Sequence, residues 1–272
     1  RSCTAITLRR SVARYPLMTS IMCSKFRKFM ISAAVVLFWL GIWSQVCYIA
    51  NRDLLMPLPY PSDVAASLKD LVTRADFWLD VGISLLRIVI GFILAVLCGA
   101  GLAIITTRSR LLHTLFAPLL SLMRAVPVAS FIFLAFLWIA ADVMPTFIAF
   151  LMVLPLVWEN VRQGIVSTDA KLLEMARVFR LSRGSRLRFV WLPSVRPYML
   201  AALSTGFGFA WKSGVAAEII CTTGHSIGSQ ISAAKSTLDY AEVFASTVVV
   251  VVLSVTLEWL VRRIFRKREV VA

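Results

Sequence analysis

Residues 174–193, EMARVFRLSRGSRLRFVWLP, form a basic, water-facing stretch between long apolar segments. What lies on either side decides the fold class. The chain is 59% hydrophobic and 16% charged, with a mean hydropathy of +0.83, far more apolar than a soluble globular domain. It belongs in a bilayer, and a membrane protein that exposes such a loop offers it to a partner.

About 20 apolar residues carry a helix across the hydrocarbon core. Runs of that kind predict six spans, at 29–49, 80–105, 126–140 (reaching back toward 115), 144–161, 198–220 and 243–261. Pro118, Pro127, Pro145 and Pro155 can kink or end the third and fourth. The fold class expected is all-α and polytopic.

Short loops rich in Lys and Arg stay on the cytoplasmic side. Of the 29 such residues, 23 fall before residue 29, at Arg108, Arg110 and Arg124, between Arg162 and Arg196, or from Arg262 onward. The opposite side holds Arg52, Lys69, Arg74 and Lys235 among many carboxylates. Both termini are therefore expected in the cytoplasm, with a basic tail over 1–28, a membrane domain over 29–265 and a short tail over 266–272. A net charge of +15 divided among loops and tails on one side argues for topology, not nucleic acid.

The first 28 residues lack an apolar core of signal-peptide length, and the first span lacks a small-residue cleavage site, so that span is expected to stay as an anchor. Starting at Arg1 rather than Met suggests processing or truncation. Five cysteines without CxxC spacing indicate neither zinc nor a disulfide framework. No Walker A, HExxH or GxSxG pattern occurs, which leaves little basis for ATP binding by this chain or for a membrane enzyme.

Within the loop, Leu172, Met175, Ala176 and Phe179 recur at helical spacing and form one apolar stripe opposite Lys171, Glu174 and Arg177. In water such a stripe needs a groove to cover it. A break follows between Leu181 and Gly184, where Ser182 or Ser185 can cap a second short helix running to a stop at Leu192-Pro193.

These residues resemble the EAA loop of permease subunits of bacterial ATP-binding-cassette importers. Its pattern is E-A-A, three residues, Gly, nine residues, Ile, one residue, Leu-Pro. Glu174, Met175 and Ala176 stand at the first three positions, Val190 at the Ile, and Leu192-Pro193 at the end. The resemblance extends over roughly 55–265 through Ser84-Leu85-Leu86-Arg87, Gly91-Phe92, Arg124-Ala125-Val126-Pro127 and Ala217-Glu218 with Gly224 and Gly228, and is closest to the nitrate, sulfonate and taurine branch. Arg180 stands where the family has its turn glycine, so either the turn moves toward Gly184 or its backbone differs.

The resemblance implies a coupling helix within 159–196 that docks on a separate ATPase, with Glu174 at the joint and Met175, Ala176 and Phe179 filling it. It further implies two ATPase copies binding ATP and Mg, a second permease copy, an extracytoplasmic binding protein, an inner-membrane location and import as the direction. This chain itself would hold no cofactor.

Charged groups inside a span are costly and usually face a bundle interior or an aqueous cavity. Lys212 lies mid-way along the fifth span and Glu218 toward its outer end, six residues apart and so about 120° from a shared face. Two readings of Lys212 stand: it lines the path and attracts an anion, or it is structural, forming a helix-packing pair with Glu218 or Asp142 or snorkelling to an interface. Arg87 and Trp211 join the candidate path residues, with Arg87 weighted toward structure and Trp211 toward packing. The rival function is an ion-gradient-driven transporter or channel using Lys212, Glu218 and Arg87.

Overall fold

The computed structural model describes residues 16–53 and 58–267, with side chains over 30–52 and 58–263. The five residues of the C-terminal tail from 268 onward, and the N-terminal tail before 16, lie outside the described residues. The chain divides into two compact units, one up to Val64 and one from Ala65.

In the first unit α1 (Pro16–Asp53) runs without a break from part of the basic tail into the apolar span Met30–Arg52. Its end is fastened locally: the Asn51 amide donates to the Leu58 carbonyl (3.2 Å) and accepts from the Leu58 N–H (2.7 Å), while the Cys47 thiol donates to the Pro59 carbonyl. A short helix, α2 (Pro61–Thr73), opens with a proline in its first position, where a missing N–H costs nothing.

The second unit is built on α3 (Ala75–Arg108), followed by α4 (Arg110–Ala125), α5 (Val128–Ala135), a 3₁₀ turn (Ala141–Val143) and α6 (Met144–Val166). Then come α7 (Ala170–Val178), α8 (Arg183–Arg186), one π turn (Leu187–Trp191), α9 (Leu192–Cys221), α10 (Ile227–Ser236) and α11 (Tyr240–Lys267). No strand occurs among the described residues. Between α3 and α9 lies α6, packed along both, and it is the most buried of the apolar helices.

Small residues allow this packing. Ser84, Gly91, Ala95, Gly99 and Ala103 form a buried stripe along α3 at spacings of seven and four residues, which brings its backbone against α6. The Thr146 hydroxyl donates to the Arg87 carbonyl (2.9 Å), a direct sign of how near the two helices lie.

Four helices are long and apolar enough to cross a membrane among the described residues: Met30–Arg52, Ala75–Arg108, Ala141–Val166 and Tyr240–Arg263. A fifth arises if α4 and α5 together make one broken span. The third expected span is thus two helices bent by 104° at Val126-Pro127, because the proline removes an N–H and keeps its predecessor extended. At 30 residues α9 is long enough, but Lys212, Glu218 and its many small polar residues leave it outside that set. Two short helices, α2 and α10, were not anticipated by the apolar runs.

Candidate functional site: a capped helix in the loop and a buried polar joint

The loop between α6 and α9 is ordered by its own caps. Asp169 accepts from the Lys171 N–H (2.9 Å) at the start of α7, satisfying one of the donors a helix leaves open there. At the other end the Arg180 N–H reaches the Arg177 carbonyl (2.9 Å) and the Leu181 N–H the Ala176 carbonyl (3.0 Å). This pair of bonds is a Schellman closure, which needs one residue in the left-handed region. Arg180 supplies it, with φ of 47°.

The family's turn is therefore kept at its own position with an arginine in it. Gly184 is not the turn: its φ is not positive, and it lies inside α8, whose start is capped by Ser182 accepting from the Ser185 N–H (3.2 Å). Nor do Leu192 and Pro193 end a plug. The chain passes from α8 through the π turn directly into α9, with Pro193 in the first turn of that helix, where proline is tolerated.

An L-residue at positive φ costs roughly 1–2 kcal/mol, offset in part by the roughly 0.5–1 kcal/mol of extra chain entropy glycine gives up. Arg180→Gly is accordingly expected to tighten the loop by about 0.5–1 kcal/mol. Amide hydrogen exchange at 176–182 would slow by about two- to fivefold; unchanged exchange would mean the arginine side chain already offsets its backbone strain.

Ala176 and Val190 are the two buried side chains between residues 170 and 192, on α7 and on the π turn that touches it. Ala176 thus holds the loop together from inside and is not on its contact surface, as the stripe of four had implied. Leu172, Met175 and Phe179 stand exposed at spacings of three and four, and Glu174 is exposed on the opposite side of the helix. The open apolar face is three residues wide, and nothing among the described residues covers it.

A family model described as "Binding-protein-dependent transport system inner membrane component" matches residues 87–270, more than half of the chain. The chain belongs to this family. It is a membrane transport subunit, not an enzyme. Among its relatives are the taurine transport system permease protein TauC of Escherichia coli (27% identical over 249 residues, 89% of each chain) and the nitrate import permease protein NrtB of Leptolyngbya laminosa (26% over 266 residues, 93% of this chain and 91% of the relative). The crystal structure of an amino acid ABC transporter with histidines has the same fold, with a TM-score of 0.61 at 18% identity, covering 78% of this chain and all of that one.

The permease places its intramembrane charges in two different settings. Asp80, Ser84 and Arg87 lie on one face of α3, four and three residues apart, and each is tied to another element. The Ser84 hydroxyl donates to Glu218 Oε2 (2.9 Å) and accepts the Ile227 N–H (3.1 Å), while the Gly228 N–H also reaches Glu218 Oε2 (3.3 Å). Arg87 donates to the carbonyls of Gly224 (3.1 Å) and His225 (3.4 Å) and pairs with Asp142 (3.1 Å). Asp80 accepts from the Gln230 amide and faces His225 (3.5 Å). Four elements (α3, the 3₁₀ turn, α9 and α10) and the loop between α9 and α10 meet in this joint.

Glu218 is fully buried here, its carboxylate set against the first N–H groups of α10, where a helix end favours negative charge. Trp211 is buried too, its indole N–H donating to the Val250 carbonyl (3.2 Å) and joining α9 to α11. Lys212 pairs with Glu258 of α11 (3.7 Å), since Glu218 and Asp142, the partners expected for it, are engaged in the joint. Of the four candidate path residues it alone is open, its side chain 69% exposed.

The apolar runs concealed Asp80, Ser84 and Gln230. A signal for two of them was present: polar residues at 80, 84 and 87 repeat with helical period inside an otherwise apolar helix.

Proposed function

We propose that this permease is the membrane subunit of an ATP-driven importer for a small anion of the sulfonate or nitrate kind. The observation that carries the reading is the open face of α7. Leu172, Met175 and Phe179 make one exposed apolar face, with Glu174 exposed on the other side, of a helix fixed at both ends by hydrogen-bonded caps, a shape suited to a groove on an ATPase subunit. Two such ATPases, binding ATP and Mg, would engage two copies of this chain. ATP binding would draw the two α7 helices together and tip the pair outward, and hydrolysis would let it return.

The substrate class follows from the taurine and nitrate relatives, both named for anionic or sulfonate-bearing solutes. Lys212 supports it: a cation exposed on the open side of α9 is the group an anion would meet between two copies. In this reading α9 crosses the membrane as the fifth of six spans within a domain over 29–265. The distribution of Lys and Arg sets both termini in the cytoplasm, at the bacterial inner membrane, and a binding protein delivers substrate from the other side.

The test is coexpression with the ATPase. Glu174→Arg combined with Phe179→Asp reverses charge and removes an apolar anchor while leaving Ala176 and the backbone hydrogen bonds that close α7 in place. ATPase recovered with the permease should fall at least about tenfold, as truncating a central anchor does. Undiminished recovery overturns the reading, and Arg183→Gln should leave recovery unchanged.

A further inference from the structure

A second cluster of charge lies away from the joint and from α7. Where α3 ends and α4 begins, beside the end of α6, a cavity of about 370 Å³ is lined by Thr106, Thr107, Arg108, Arg110, His113 and Arg162. No acidic residue lines it. Arg162 pairs with Glu159 (2.9 Å), and among the described residues Arg108 and Arg110 have no carboxylate partner.

We propose that this cavity binds a phosphate-bearing anion, and that its natural occupant is the headgroup of an anionic phospholipid. The site is built, not merely basic. Trp158 donates its indole N–H to the Thr106 hydroxyl (2.9 Å), His113 stacks on the Trp158 ring and the Arg162 guanidinium lies over the same ring (5.6 Å). One buried tryptophan thus fixes two of the lining side chains.

Both threonine hydroxyls donate to carbonyls of their own helix, Thr106 to Leu102 (2.8 Å) and Thr107 to Ala103 (2.7 Å). They have no proton left for an anion, so the donors available are the guanidinium groups. Arg162 Nε is buried and without a partner, a donor that an oxyanion would satisfy. Arginine forks match phosphate oxygens in pairs.

The lipid is favoured over a soluble phosphate by what surrounds the cavity. Ile104, Ile105, Leu111 and Leu115 are exposed on the same two helices, a surface for acyl chains beside the charged mouth. The inference rests on the membrane reading of α3, and on the charge count that puts its Arg108 end at the cytoplasmic face. Basic groups there attract anionic headgroups.

The full chain, purified in detergent and given phosphatidylcholine with phosphatidylglycerol, is examined by native mass spectrometry for retained phosphatidylglycerol. Arg108→Gln with Arg110→Gln removes two exposed donors and leaves the Trp158 stack intact. Retention should fall about fivefold per arginine, while Arg183→Gln with Arg188→Gln, an equal charge loss elsewhere, should not change it. A parallel thermal-shift series uses inorganic phosphate alone. Stabilisation by phosphate that the double variant loses, without retained lipid, keeps the anion site and assigns it to a soluble phosphoryl group. Equal retention and equal phosphate response in the variant and the parent overturn the site. Neither readout involves an ATPase or transport, so its failure leaves the importer reading standing.

Discussion

Gly91→Ala is expected to leave little folded protein. An alanine Cβ at this position would meet the Thr146 carbonyl oxygen well inside the 3.0 Å that real Cβ atoms keep, with Ala149 Cβ at 3.1 Å beyond it. The obstacle is backbone, so no rotamer change relieves it. One turn earlier the Thr146 hydroxyl is bonded to the Arg87 carbonyl, which holds the two helices at this separation. Relief requires α3 and α6 to part, and α6 is also the neighbour of α9, so the loss spreads through the centre of the unit. Overpacking a well-filled core typically costs about 1–3 kcal/mol, and a backbone clash belongs at or above the upper end. Monodisperse protein after detergent extraction measures the effect. Gly101→Ala is the control, because nothing lies within 4 Å of its added Cβ, and an exchange of glycine for alanine in an open helix position gains up to about 1 kcal/mol. Equal yields of the two variants would mean that α3 and α6 do not meet as described.

The same contrast explains what was legible in the amino-acid sequence. Apolar length is a one-dimensional property, so the cores of α1, α3, α6 and α11 follow from it directly, and the proline at 127 announced the break between α4 and α5. The loop was legible by residue spacing, and its stripe by helical period. What spacing could not supply was direction. Ala176 belongs to the stripe by period yet points into the loop, because it sits where α7 meets the π turn. Pro193 signals a helix boundary in either sense, and only the chain's path shows that it opens α9 instead of closing α8. The positive φ at Arg180 runs against local preference and is imposed by the two hydrogen bonds that close α7.

Charges inside the spans were harder still, because a partner distant in sequence decides their role. Ser84 and Glu218 are 134 positions apart, and Arg87 and Asp142 are 55 apart. Rotation about α9 correctly separates Lys212 from Glu218, but it cannot say that α10, an unforeseen helix, would bring its first N–H groups to one of them and that α11 would offer Glu258 to the other. The outcome divides the two: Glu218 binds the fold together, and Lys212 stands exposed beside Glu258.

Gly228→Ala is the sharpest probe of that division. Its Cβ would overlap Glu218 Cβ and lie 2.6 Å from the Ile219 backbone nitrogen, so α10 must move off α9. The movement takes away the Gly228 N–H from Glu218 Oε2, and Glu218 Oε1 already lacks a partner. Overpacking adds about 1–3 kcal/mol, and leaving a buried carboxylate with one fewer donor adds about 1–3 kcal/mol more. A melting temperature lower by roughly 4–24 °C follows for a unit of this size. Gly224→Ala should do far less, since Asp142 Oδ1 at 3.9 Å is all its Cβ would meet. Glu218→Ala alone should also destabilise, by orphaning the Ser84 hydroxyl and the Gly228 N–H together. Because both substitutions break the same Gly228–Glu218 bond, the double variant should fall short of the sum of the two by about 0.5–3 kcal/mol. Additive effects would show instead that α10 is held to α9 by packing alone, with Glu218 left free to serve the path.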